Sequence, residues 1–130
     1  MGGKEVVMEN KEIFSAKLLS IEVFETATSI DVRWLGKSID RNPAKFISPV
    51  LVKVLNMAAV MNKRVVMDFG SLSYMNSSTI TPIIKILERA KKGKTEITIL
   101  YDKSLKWQEL NFSALEIFGT NDDRLEIKGL

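Results

Sequence analysis

The chain of 130 residues contains no cysteine and no histidine. Without thiols there are no disulfides, thiolate nucleophiles, iron–sulfur clusters or zinc sites of the usual kind. Without imidazole there is no side-chain base tuned near neutral pH and no Ser-His-Asp arrangement. Carboxylates, lysines, hydroxyls and the backbone are what remains, so a non-enzymatic role is expected, with neither metal nor cofactor. No run of about 18 consecutive apolar residues is present, the length a membrane-spanning helix needs. The first residues, Met1-Gly-Gly-Lys-Glu5, lack an apolar signal core, and position 6 is not the Ser or Thr of a myristoylation site. The expectation is a cytoplasmic protein without membrane insertion.

What is present suits one domain spanning 1–130, with residues 1–11 polar enough to fray apart from Val6, Val7 and Met8. The hydrophobic share of 45% and charged share of 27% are ordinary for a folded chain. The net charge is only +3. Its densest basic stretch, Arg89-Ala-Lys-Lys-Gly-Lys94, falls where a helix should end, and cations there favour the helix dipole. A nucleic-acid interface would want a basic stripe interleaved with aromatics, so no nucleic-acid partner is expected.

Hydrophobic periodicity sets the organisation. Leu19, Ile21 and Val23, then Ile30, Val32 and Trp34, alternate with polar residues on either side of a turn at 25–29, which reads as a β-hairpin. Asn42-Pro43 is a helix-start signal, with Asn as cap and Pro in the first helical position. Phe46, Ile47, Val50, Leu51, Val54, Leu55 and Ala58 then follow at helical spacing. Pro49 implies that this helix either begins at Ser48-Pro49 or kinks there. The short, nearly continuous apolar run Arg64-Val-Val-Met-Asp-Phe-Gly70 suits a strand buried on both faces. A second helix carries Ile80, Ile83, Ile84, Leu87 and Ala90 and closes at Gly93; a strand follows at 96–101. A third helix is expected over 104–118 with Gly119 just past its end, and a short last strand at 125–127. The order β-β-α-β-α-β-α-(β) implies an α/β domain with one mixed sheet flanked by helices.

The informative segment is the hydroxyl-rich loop 71–81, between the buried strand and the second helix. In open α/β sheets, ligands and modifications gather at strand C-termini and the helix starts that follow them. Ser71, Ser73, Ser77, Ser78 and Thr79 are all there, beside Asn76. Their plain role is capping, with Ser78 or Thr79 as the cap residue and Pro82 in the fourth or third helical position. A hydroxyl at such a place also suits a switch, because a phosphate adds about −1.5 to −2 charges where a helix N-terminus favours anions.

The segment Val65-Val-Met-Asp-Phe-Gly-Ser-Leu-Ser-Tyr-Met-Asn-Ser-Ser-Thr-Ile80 resembles the core of STAS domains, the anti-sigma factor antagonists of bacterial partner-switching systems. A closer likeness is to the SiaC-type regulatory phosphoproteins. It lies in Gly36-Lys-Ser-Ile-Asp-Arg-Asn-Pro43, in Phe46 with Pro49, in Tyr74-Met-Asn-Ser-Ser and in the pair Tyr101-Asp102, over roughly residues 18–127. The resemblance implies a STAS-like fold and a phospho-acceptor at Ser77, with Ser78 the alternative. It implies partner contacts at Tyr74, Met75, Asn76, Ser78 and Thr79. The implied partners are a Ser/Thr kinase of the anti-sigma type, a PP2C-like phosphatase and an effector, either a diguanylate cyclase or an anti-sigma factor. Asn76 stands where STAS antagonists have Asp, and Thr79 where they have Gly. The acceptor is Ser where SiaC-type proteins usually have Thr. Lys103 and Lys106 make a region basic that is acidic in those proteins.

Other signals are weaker. Asp68-Phe-Gly70 spells the kinase metal-binding tripeptide without the rest of a kinase. No Walker motif or dinucleotide fingerprint is present, and a receiver-type acidic pair at the strand ends is missing. Trp34 and Trp107 are expected in the core, and Met57, Met61 and Met67 as gap-fillers, with Met75 on an adaptable partner surface. The competing view is a constitutive protein- or small-ligand-binding scaffold of the same fold, in which the serines only cap. An enzyme using Asp68 or lysines with a bound cofactor would need a large buried polar pocket.

Overall fold

The computed structural model describes residues 11–130; Val6, Val7 and Met8 lie outside that range. β1 (Lys11–Ala16) and β2 (Leu19–Glu25) join through a tight turn in which Lys17 takes φ 54°. β3 (Ser29–Ser38) runs antiparallel to β2, and the Lys37 N–H reaches back to the Leu18 carbonyl at 3.0 Å. Gly36 makes that approach possible. Its φ is +84°, and a Cβ there would sit 2.0 Å from the Leu18 oxygen. The expected single hairpin is thus a three-stranded meander. β1 escaped the sequence pattern because it buries little and, among the described residues, pairs on one side only.

α1 (Ala44–Met61), β4 (Arg64–Asp68), β5 (Leu72–Met75), α2 (Ile80–Lys92), β6 (Ile97–Tyr101), α3 (Lys106–Phe112) and β7 (Leu125–Gly129) complete the fold. The seven-stranded sheet runs β1-β2-β3-β4-β6-β7, with β5 paired to β3 beyond the end of β4. From β3 onward all pairings are parallel. The domain is therefore α/β, one mixed sheet flanked by helices. Two cross-strand rows, Ile30-Val65-Ile97-Leu125 and Val32-Met67-Ile99-Ile127, set one face of the sheet. The buried stripes of α1 (Ile47, Val50, Leu51, Val54, Leu55, Ala58) and α2 (Ile83, Ile86, Leu87, Ala90) join these rows in one core.

Several expectations about the helices change. α1 runs unbroken through Pro49, an exposed position, and Pro43 with φ −66° occupies the cap position expected of Asn42. The missing Pro49 N–H costs α1 one internal bond while its apolar stripe holds the helix to the core. Within the span expected for a third helix, α3 gives way to a 3₁₀ segment, Ser113–Phe118, and Gly119 has φ −64° instead of a left-handed cap. α1 is also long and apolar enough, by length and composition, to cross a membrane, with mean hydropathy 1.5. A search for consecutive apolar residues misses it because Lys45, Lys53 and Asn56 interrupt the run. Here it is the helix that covers the sheet core.

β4 and β5 form one line of chain broken at 69–71. Asp68 Oδ1 accepts the Gly70 N–H at 2.8 Å, turning the backbone, and Phe69 drops into the core. Phe69 packs on Trp34 with ring centroids 4.6 Å apart and on Phe112 at 4.5 Å. Such pairs add about 0.5–1.5 kcal/mol each beyond their burial. They fasten α3 to β3 across the break. Trp34 is a fully buried core residue, as expected, and Trp107 is half-buried.

Candidate functional site

The loop expected over 71–81 is half strand. β5 extends the sheet along the end of β3, with Lys37 opposite Tyr74 and Ser38 opposite Met75, after a register shift at Gly36. That shift puts two exposed residues, Ser73 and Tyr74, between the buried Leu72 and Met75. Strict alternation is lost, which is why the strand could not be read from the pattern.

Asn76 ends the strand and starts the helix. Its extended backbone (φ −78°, ψ 167°) makes it the cap of the 3₁₀ turn Ser77–Thr79 that leads into α2. Thr79 holds the position just before α2, one of the two expected, but its side chain makes no capping bond there. Asn76 Oδ1 accepts the Thr79 N–H at 3.2 Å and the Thr79 hydroxyl at 2.8 Å. Asn76 Nδ2 donates to the Asp40 carbonyl at 2.7 Å, and its N–H to the Ser38 carbonyl at 2.9 Å. The single Thr79 hydroxyl proton is spent on Asn76, so the Ser38 hydroxyl donates to Thr79 Oγ1, 2.6 Å away. This network, buried at Ser38 and Thr79, clamps the turn to the end of β3.

The turn presents Ser77 and Ser78 outward, both exposed, and neither hydroxyl makes a hydrogen bond to another described residue. No acidic side chain lies in the first turn of α2. Tyr74 is 49% exposed beside them. Met75 and Thr79 correct the expectation of partner contact, being 6% and 0% exposed. Burial of every second or third side chain is what holds the strand and the turn down. Their part is to shape the surface from beneath, and Met75 is a core residue instead of an adaptable surface.

Around the turn, Asp40 pairs with Lys17 at 3.5 Å. Its carboxyl lies below the usual range, chiefly because it accepts the Asn42 N–H and secondarily because of the Lys17 charge. Asp102 is held low by the Ser104 hydroxyl and N–H, at 2.6 and 2.9 Å. Tyr101 is a buried phenol, pushed up to about 12 by burial first and then by the carboxylates of Glu109 and Glu116, which accept its proton at 3.2 and 3.3 Å.

Sequence reasoning missed Gln108. It is fully buried, donates to the Phe69 and Leu72 carbonyls at 2.6 and 3.1 Å, and accepts the Asp102 N–H at 2.8 Å. It ties α3, the β4–β5 break and the end of β6 together beneath the site. A lone Gln in a helical segment gives no signal of this.

The pocket beside the clamp, lined by Ser38, Ile39, Asp40, Phe46 and Ile47 among others, holds about 10 Å³. That is roughly the room for one water. Among the described residues, no three acidic side chains gather as a metal site would require.

No family model matches the chain, and no curated protein matches it. Among solved structures, it is similar to the anti-sigma factor antagonist SpoIIAA in its unphosphorylated form. That likeness covers 69% of this chain and 71% of the other, at 14% identity and a TM-score of 0.44.

Proposed function

We propose that this chain is a non-enzymatic, cytoplasmic regulatory phosphoprotein of STAS-like type, nearest in its motifs to the SiaC-type proteins. Unphosphorylated, it binds a target protein through the surface formed by Tyr74, Asn76, Ser77 and Ser78, with Met75 and Thr79 supporting that surface from below. Phosphorylation on Ser77, with Ser78 the alternative, releases the target. A Ser/Thr kinase of the anti-sigma type adds the phosphate and a PP2C-like phosphatase removes it. The target is a diguanylate cyclase or an anti-sigma factor.

One observation carries the reading. The capping work is done by Asn76 with Thr79, which leaves the Ser77 and Ser78 hydroxyls exposed and free of hydrogen bonds to other described residues. The constitutive-scaffold alternative explained these serines as caps and loses that reason. A phosphate here would lie at a helix N-terminus, where the dipole favours an anion and the helix need not melt. The test is a pull-down of the target with Ser77→Ala and Ser77→Asp chains. The alanine form should retain the target and the aspartate form should lose it; equal retention by both would overturn the switch.

A further inference from the structure

We infer that the end of the sheet carrying Ser77 docks a protein partner whose contact surface is acidic around an apolar centre. The inference deepens the switch reading above and rests on it for the role of the phosphate.

The parallel strands end here, and β3, β5 and β6 are each followed by a helix start. Lys17 lies in the β1–β2 turn, Lys37 near the end of β3, Arg41 and Lys45 at the start of α1, and Lys103 and Lys106 at the start of α3. All six are exposed. Carboxylates at this end are Asp40, already paired with Lys17, Asp68, turned onto the Gly70 N–H, and Asp102, turned onto Ser104. Glu109 and Glu116 are directed at the Tyr101 hydroxyl.

The placement runs against fold stability. A helix N-terminus carries positive partial charge and favours acidic neighbours, by about 0.3–1 kcal/mol each. α1 has no acidic residue in its first turn and instead begins with Arg41 and Lys45 beside it. At the opposite end of the sheet, the basic residues Arg89, Lys91 and Lys92 lie in the last turn of α2, where the dipole accommodates them. Lys17 is paired with Asp40 and α3 has Glu109 in its first turn, but Arg41 and Lys45 at the start of α1 have a use other than holding the fold.

Large apolar side chains are exposed at this end as well. Tyr74, Ile39 and Leu18 are exposed at 49, 45 and 59%. Tyr74 stands directly across from Lys37 in the sheet register. Aromatic anchors inside a charged rim are the usual composition of a protein interface, whereas a nucleic acid would need the cations without the aliphatic groups. The sign of the charge also explains the direction of the switch. A phosphate on Ser77 would satisfy these cations internally and repel an acidic partner, so the modified form is the released one.

The experiment uses the full chain and a labelled peptide of repeating Glu-Glu-Leu, with poly-glutamate and duplex DNA of equal charge as comparators, followed by fluorescence anisotropy at low salt. The wild type should bind the Glu-Glu-Leu peptide more tightly than either comparator. Lys37→Glu with Arg41→Glu should weaken it about tenfold. Lys91→Glu with Lys92→Glu, at the opposite end, should leave it unchanged, and Tyr74→Ala should abolish its advantage over poly-glutamate. Equal weakening by both charge-reversal pairs, tighter binding to DNA, or no binding at all would overturn the proposal. These substitutions are exposed, and circular dichroism of each variant checks that the fold is intact. If the peptide results hold but Ser77 takes no phosphate, the switch falls while the docking surface stands.

Discussion

The hydroxyls of Ser38 and Thr79, distant in sequence, share a buried hydrogen bond of 2.6 Å. It joins the end of β3 to the turn that presents Ser77. Because Thr79 also donates to Asn76 Oδ1, and Asn76 in turn to the Asp40 carbonyl, a single chain of polar groups fixes both sides of the site. Thr79→Val keeps the shape of the side chain but leaves Ser38 and Asn76 short of a partner. A stability loss of about 1–3 kcal/mol is expected. Urea denaturation of Thr79→Val, Ser38→Ala and the double variant measures it. The two losses should not add, because they share one bond.

Gln108 should matter as much to the site without touching its surface. Gln108→Leu strands the Asp102 N–H and one acceptance each at Phe69 and Leu72, with an expected cost of about 2–4 kcal/mol. Amide hydrogen exchange should rise at Leu72–Met75, the strand that Gln108 helps to hold. A change confined to α3 would contradict this role.

Asn76→Ala removes the cap and should cost about 0.5–2 kcal/mol. Asn76→Asp should cost less, because a carboxylate still accepts from Thr79 and suits a helix N-terminus. It would lose the bond to the Asp40 carbonyl and place a negative charge beside Ser77. Thermal unfolding of the two variants against the wild type should give the order wild type, aspartate, alanine.

The Tyr101 phenol titrates at about 12 in the folded chain, above its ordinary value of 10.0. Its neutral form is favoured by folding, so its contribution is fully present below pH 10 and is lost as the pH rises towards 12. Asp102 has the opposite sign: its carboxyl is held below 3.8, so its contribution is present above that pH and is lost in acid. Stability followed from pH 9 to 12 should fall more steeply in the wild type than in Tyr101→Phe. Parallel curves would show that the phenol is not protected as described. Gly129→Ala offers a second check, since a Cβ there would lie 2.8 Å from the Tyr101 ring and displace it.

Elements whose periodicity is set by burial were legible in the sequence: the stripe of α1, the alternating strands of the β2–β3 hairpin, and β4 as a strand. β4 nonetheless buries Val65 and Met67 on one face and leaves Val66 half-buried on the other, instead of being buried on both. β1 was hidden because it buries little, and β5 because the register shift at Gly36 breaks its alternation. The site was legible in its chemistry, as a cluster of hydroxyls at a helix start. Its geometry was not. Nothing in the spacing of Asn76, Ser77, Ser78 and Thr79 says which of them turns inward. That is decided by Ser38 and Asp40 from another strand and loop. Gln108 was illegible for the same reason, since its partners are backbone groups that only the fold brings near.

The phosphate itself is the most direct test. Intact mass spectrometry of the chain purified from its own cells, with and without phosphatase treatment, should show a phosphate adduct on part of the population. The adduct should be absent from Ser77→Ala and retained by Ser78→Ala. An unmodified mass under every condition, or an adduct that persists in both single variants, would contradict the switch at this turn.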